Sequence, residues 1–276
     1  MRADEAGWTV FGRGRRVEGI SDIAPEAVLL VGAGRSVLLQ LAHPAVGHGV
    51  ARHSGFATDP MRRLQGTLTY IYALTNGTEA QRELVSRRVN AAHGPVRSEP
   101  ADDGSHPAYS AFDPQLQLWV AATLYESGMG MYERIFSGLE PETAERVYRQ
   151  YGVLGSALQM PEGLWPATRA DFRAYWEDAV AGLRVDETAR GVAEVLLRAE
   201  KAPWWLRAGM PLARFVTIGL LPETVRSGFG YTWTTGQERR LGMFFGALRC
   251  LVRVTPRWIR RAPMGIYLRR ADGREA

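Results

Sequence analysis

Cysteine is almost missing from this 276-residue chain. Cys250 stands alone, so no intrachain disulfide can form and a structural zinc site built on cysteine is excluded. The same scarcity fits a reducing cytoplasm, the expected compartment. Lysine is nearly absent too: Lys201 is the only one, and the basic excess is arginine. That skew reads as GC-rich coding rather than as a surface shaped for a polyanion. The formal charge is +5 and the sequence pI about 9.6, yet most arginines stand among acids, as in Arg82, Glu83, Arg87 and Arg88. A nucleic-acid binder concentrates its basic residues in a stripe with exposed aromatics, so nucleic acid is not expected as a partner. Two clusters remain, Arg13, Arg15, Arg16 and Arg257, Arg260, Arg261, Arg269, Arg270. They read as solvated chain ends, with a weak membrane-surface contact as the alternative. Long apolar runs are also lacking. Met1 to Ile20 carries Arg2, Asp4 and Glu5 and no apolar core, so no signal peptide is expected. Trp204 to Leu221 is interrupted by Arg207, Pro211 and Arg214 and is not read as a transmembrane span.

Internal repeats, low-complexity linkers and period-two strand patterns are absent as well. What is present is 46% hydrophobic and 23% charged residues, with eight Trp, ten Tyr and nine Phe to fill a core or an apolar pocket. Helical signals recur along the chain. A first block starts near Pro25, and Gly32 and Gly34 separate it from an apolar block over Ser36–Val50. Asp59-Pro60 and Asp113-Pro114 place an aspartate cap before a first-turn proline. Asn76-Gly77 ends the helix begun at Pro60, and Thr78 caps the next. Leu116, Trp119, Val120, Thr123 and Leu124 form an expected buried stripe. Pro141–Tyr151, Phe172–Gly182 behind a Thr168/Asp171 start, Asp186–Lys201 and Thr235–Val254 complete the set. The fold class expected is all-α, one multi-helix globular domain over residues 1–276, with nine or ten helices enclosing a pocket.

Gly32-Ala33-Gly34-Arg35 lacks the preceding strand, third glycine and lysine that nucleotide loops require. His43, His48 and His53 recur every five residues, which turns neighbours apart by about 140° on one helix, so they do not converge on one metal there. Capping or satisfied core imidazoles are the expected roles. No Glu-x-x-His pair is available for a di-iron bundle. His93 lies on the apolar side of a helix whose other face carries Arg82, Arg87 and Arg88. That pattern is more often a satisfied core histidine; it also permits a haem ligand with one ring nitrogen aimed into an apolar slot, the other held by an acceptor, and nearby arginines, such as Arg97, for the propionates. Arg63 and Thr67, four residues apart, share one helix face.

Taken in order, Leu38-Leu39-Gln40-Leu41-Ala42-His43-Pro44, His53-Ser54-Gly55-Phe56, Asp59-Pro60, Arg63 to Thr67, Tyr70 to Gly77 and Arg88-Val89 to His93 resemble the MpaB-type and rubber-oxygenase catalytic domain. The resemblance continues through Tyr109, Asp113-Pro114, Trp119 to Leu124, Tyr132-Glu133-Arg134 and Leu164, Pro166-Ala167-Thr168, and is clearest from Ile20 to Val180. It implies a haem b oxygenase that takes an apolar or terpenoid-like small molecule and O2 or peroxide, with oxidative C=C cleavage or oxygen insertion as the reaction. His93 matches the family's proximal iron ligand. Arg63 and Thr67 match its arginine and threonine, one to orient or charge-balance the pocket and one to donate a hydrogen bond.

The sequence departs from latex clearing proteins at three places. Gly66 stands where they carry a lysine able to ligate iron, which implies an open distal side. Ala121 stands where many relatives carry a histidine. Gly47-His48 stands in the region of their acidic residue, making His48 the candidate distal acid–base. The competing readings are a non-catalytic haem- or lipid-binding protein held at a membrane by its basic C-terminal segment, and a non-haem metal enzyme using His43, His48 and His53.

Overall fold

The computed structural model describes residues 17–53, 60–200 and 202–272. Arg13, Arg15 and Arg16, the Ser54-Gly55-Phe56 run and the Asp59 cap lie outside the described residues. Helices dominate. The described residues open with α1 (Ile20–Ile23), a 3-10 turn over Ala27–Gly32, α2 (Ala33–Leu41) and α3 (Pro44–His53). The apolar block read as continuous over Ser36–Val50 is therefore two helices, because Pro44 cannot extend α2; the paths on either side of it meet at 104°. Gly47 permits the tight corner, since a Cβ there would lie 2.6 Å from the Leu41 carbonyl oxygen.

Then follow α4 (Pro60–Asn76), α5 (Glu79–His93) and a two-residue ladder of β1 (Arg97–Ser98) with β2 (Tyr109–Ser110), antiparallel with Arg97 opposite Ser110. Next come α6 (Pro114–Ile135), α7 (Pro141–Tyr151), α8 (Val153–Ser156), α9 (Arg169–Gly182) and α10 (Glu187–Arg198). The last are α11 (Trp204–Leu220), α12 (Glu223–Gly228), α13 (Thr235–Val254), α14 (Arg257–Arg260) and α15 (Ala262–Ala271). There are more helices than the nine or ten expected, because single-turn pieces such as α1, α8 and α14 carry no periodicity to read. The caps fall where the sequence put them. Thr78 forms a capping box with Gln81, Thr168 forms one with Asp171, and Asp113 accepts from the Gln115 amide at 2.8 Å.

α6 is the axis of the domain. A single buried stripe was expected, but α6 is covered nearly all round, with Leu118, Ala121, Ala122, Tyr125 and Met131 all at 5% exposure or less. It feeds three apolar clusters. Tyr125 sits in an aromatic box, 4.8 Å from Phe172 and 5.1 Å from both Tyr148 and Tyr151 between ring centroids. Trp119 packs with Leu38, Leu39 and Leu41 of α2 and Ala189 and Ala193 of α10. Met131 and Ile135 meet Val216 and Leu220 of α11 and Leu241 and Phe245 of α13. Each fully buried Leu contributes about 1.5–3 kcal/mol. Between α2 and α6, Gln40 and Ser36 both bond the Thr123 hydroxyl, at 2.9 and 3.1 Å, which fixes the register of the two helices.

The C-terminal arginines divide into two groups. Arg257 reaches Asp22 at 3.2 Å, and Arg260 and Arg261 grip Glu26 at 3.1 and 3.0 Å. Glu26 is only 4% exposed. Three members of the cluster read as a solvated end thus fasten α14 and α15 to the start of the chain. Trp204–Leu221 is a single helix, α11, up to Leu220, with Pro211 inside it and Arg207 and Arg214 interrupting its apolar run. No single helix among the described residues is long and apolar enough to cross a membrane.

Candidate functional site

Arg63 and His93 come together through helix arithmetic. α4 and α5 form an antiparallel hairpin around Gly77-Thr78. Arg63 lies thirteen residues before the end of α4 and His93 fourteen residues after the start of α5. At 1.5 Å per residue the two arrive level, about 20 Å from the turn. The Gly77 amide closes α4 on the Ala73 carbonyl at 2.9 Å, and the Thr78–Gln81 capping box opens α5.

His93 is the last residue of α5. Gly94 caps the helix by donating to Asn90 at 3.0 Å, and Pro95 follows outside it, so the proline ends the helix rather than distorting it. An amide relay holds this end in place: Asn90 accepts from Gln159 at 2.8 Å, and Gln159 accepts from Gln117 of α6 at 2.6 Å. The His93 Nδ1 is buried and finds no hydrogen-bond partner. Burial, and then the neighbouring Arg63 charge, make the imidazole less basic than usual, so it is neutral at physiological pH.

Arg63 combines two properties. Its side chain reaches water, yet so much protein surrounds it that desolvation lowers the guanidinium to about 10. The group remains a cation at neutral pH, on a helix face that is exposed at Gly66 and Thr67. Gly66 and Thr67, one turn further on, share that face. Thr67 is exposed, and a Cβ on Gly66 would meet nothing within 4 Å. Arg97 is exposed on β1, with its side chain outside this group of contacts.

His48 is placed differently. It is 6% exposed, its Nε2 lies 2.8 Å from Asp186 Oδ2, and its ring stands 5.6 Å from that of His106. Asp186 also accepts from the Ala189 amide at 2.8 Å as the cap of α10. His48 thus ties α3 to α10. His53 bonds the Tyr109 hydroxyl at 3.1 Å. Both fit the satisfied role expected of them.

His43 does not. Its Nδ1 is buried without a partner, burial lowers its basicity, and its ring stands 6.2 Å from Trp119, whose Nε1 is also unpartnered. Sequence reasoning passed over it because nothing local marks an imidazole that lacks its partner. Ala121 is packed in the core beside Tyr125. Among the described residues no three His, Cys, Asp or Glu side chains are grouped to hold a metal ion. A separate cleft of about 540 Å³, lined by Leu74, Arg82, Arg149 and Trp165 among others, includes none of the expected site residues.

The family model for the "ER-bound oxygenase mpaB/B'/Rubber oxygenase, catalytic domain" matches residues 22–257, well beyond the Ile20–Val180 span in which the resemblance is clearest by eye. The chain is 39% identical over 235 residues to the uncharacterized protein Rv2237 of Mycobacterium tuberculosis and equally to the uncharacterized protein Mb2261 of Mycobacterium bovis. Each match covers 81% of this chain and 89% of the relative. No solved structure gives a significant match.

Proposed function

The chain belongs to the mpaB/rubber-oxygenase catalytic-domain family, and from that premise we propose that it is a haem b oxygenase acting on an apolar or terpenoid-like small molecule. The observation that carries the reading is the buried, unpartnered ring nitrogen of His93 beside Arg63. Leaving that nitrogen unsatisfied costs about 1–3 kcal/mol, a cost that only a ligand or acceptor bonded to Nδ1 itself would offset.

The residues present suit haem. His93 offers a neutral imidazole, the form that binds iron. Arg63 offers a cation for a propionate or for charge balance, and Arg97 is the second candidate for a propionate. Gly66 leaves room beside the Thr67 hydroxyl, where the latex proteins carry a lysine. Bound haem supplies the oxygen-activating chemistry; the protein's part is to hold the imidazole neutral, orient the substrate and exclude water. Thr67 is assigned as the hydrogen-bond donor, from the same helix face as Arg63. The apolar substrate class follows from the family resemblance, and the oxidation takes O2 or peroxide as co-substrate.

The test is spectral. Purified protein, supplied with haem during expression, is expected to show a Soret band that His93→Ala removes and that His48→Ala, tied to Asp186, retains. An unchanged band in His93→Ala overturns the assignment. Oxygen consumption with candidate isoprenoids then reports whether the bound group turns over.

A further inference from the structure

Exposed apolar surface is concentrated at one end of the sequence. Of the eleven large hydrophobic residues exposed among the described residues, nine lie between Val195 and Ile266. Isolated exposed apolar residues need no explanation, but a group gathered on packed neighbours does. On α13, Met243, Leu251 and Val254 are 67%, 59% and 78% exposed, and Ala247 and Cys250 are exposed with them. These positions follow i, i+4, i+7, i+8, i+11 and form one stripe. The opposite face of α13, with Leu241, Phe245, Leu248 and Val252, fills the third core cluster. α13 is thus apolar on two sides, only one of which the fold covers. Beyond it Trp258 is 75% exposed, and on α11, which packs against α13, Trp204 is 80% and Leu212 52% exposed.

Charge accompanies the stripe. From Arg239 to Ala271 the sequence holds nine arginines and no Asp or Glu. Arg257, Arg260 and Arg261 are engaged by Asp22 and Glu26. The other six, Arg239, Arg240, Arg249, Arg253, Arg269 and Arg270, are exposed and make no ion pair among the described residues. On α13, Arg239 and Arg240 stand at one end of the stripe, and Arg249 and Arg253 run along one side.

We propose that the outer face of α13, continued by Trp258 and the exposed half of α11, docks the protein on the surface of a bilayer carrying anionic lipid. An apolar stripe bordered by arginines and exposed tryptophans is the pattern of an interfacial helix: the stripe enters the headgroup boundary and the guanidinium groups pair with lipid phosphates. A second copy of the chain is a poorer occupant, since pairing this face with itself sets unpaired arginines against unpaired arginines. Nucleic acid would leave the apolar stripe unsatisfied. The contact is with the surface, no single described helix being able to cross.

The experiment uses the full chain. Cys250, the only cysteine, lies in the stripe and takes an environment-sensitive fluorophore. The labelled protein is titrated with vesicles of phosphatidylcholine alone and with vesicles containing phosphatidylglycerol, and flotation of unlabelled protein gives an independent readout. Binding with a blue shift is expected only with phosphatidylglycerol, weakening as salt rises. Arg249→Gln with Arg253→Gln should reduce affinity by about thirtyfold, at roughly 1 kcal/mol per basic residue. Leu251→Ser with Val254→Ser, both exposed and so compatible with folding, should reduce it by roughly tenfold or more. Arg82→Gln with Arg87→Gln on α5 should leave it unchanged. Equal binding to both vesicles, or none, overturns the proposal. So does a wild-type dimer by light scattering that the Leu251/Val254 variant converts to monomer.

Discussion

Gly66 is the seventh of seventeen residues in α4 and lies on the face that carries Arg63 and Thr67. Glycine inside a helix costs about 1 kcal/mol relative to alanine, because it loses more backbone freedom on folding. Nothing stands within 4 Å of a Cβ added there. Gly66→Ala is therefore expected to stabilise the free protein by nearly that full amount, raising Tm by about 2–4 °C for a chain of this size. Gly66→Trp tests what the open space is for. Gly66 is exposed, so as a surface substitution the indole should leave the free protein within about 0.5 kcal/mol of wild type. If the space beside Thr67 receives haem, the indole overpacks it at a cost of about 1–3 kcal/mol, about 5- to 150-fold in affinity. Thermal unfolding followed by circular dichroism gives the first quantity and haem titration at the Soret band the second. A Gly66→Ala variant no more stable than wild type refutes the helix argument. A folded Gly66→Trp variant that takes up haem with wild-type affinity refutes the placement of the cofactor.

Three further outcomes are expected. His43 and His93 are both less basic folded than unfolded, chiefly through burial. The unfolded chain then binds more protons, so stability is full above about pH 6.5 and declines as pH falls towards the folded values, by at most about 1.4 kcal/mol per pH unit for each imidazole. Urea unfolding between pH 7.5 and 5 should show this slope in the haem-free protein, and a His43→Gln/His93→Gln double variant should flatten it; an identical slope in the double variant contradicts the assignment. Glu26→Gln leaves Arg260 and Arg261 facing an uncharged amide and should cost about 3 kcal/mol, with hydrogen exchange showing α14 and α15 released first; a loss below about 1 kcal/mol means the clamp is only a surface pairing. His48→Ala should lower stability by about 1–3 kcal/mol, chiefly through loss of a buried ring, since Asp186 keeps water and the Ala189 amide, and should leave any Soret band in place; lost turnover with unchanged stability would make His48 a catalytic acid–base instead.

The fold was legible wherever the signal is local. Asp113-Pro114, Thr78 with Gln81 and Thr168 with Asp171 are caps whose partners lie within three residues, so the boundaries they set appear in the structure. α6 was misjudged because its coverage is non-local: the 3-10 turn, α2, α7, α8 and α13 approach it, and no window of its own sequence announces how many neighbours will arrive. The C-terminal arginines were misread for the same reason. Asp22 and Glu26 lie more than 230 residues before Arg257 and Arg261, and a charge run reads as solvated until its acids are located.

The candidate site divides along the same line. That Arg63 and His93 stand level follows from two helix lengths and one turn, all readable from Pro60, Asn76-Gly77 and Thr78. Their pairing is a property of the hairpin. One residue inserted in α5 between Thr78 and His93 would turn the imidazole by about 100° and move it 1.5 Å, taking it off Arg63's face. The state of His43 follows no such rule. Its ring sits at the corner that Pro44 makes between α2 and α3, and Trp119, 76 positions away on α6, closes over it. Whether a buried imidazole meets an acceptor or a bare indole depends on which helix arrives, and that is decided by packing around α6. The two unpartnered imidazoles therefore differ in kind. His93 is set by local geometry beside a charged group, whereas His43 is enclosed by a tertiary contact with an aromatic ring.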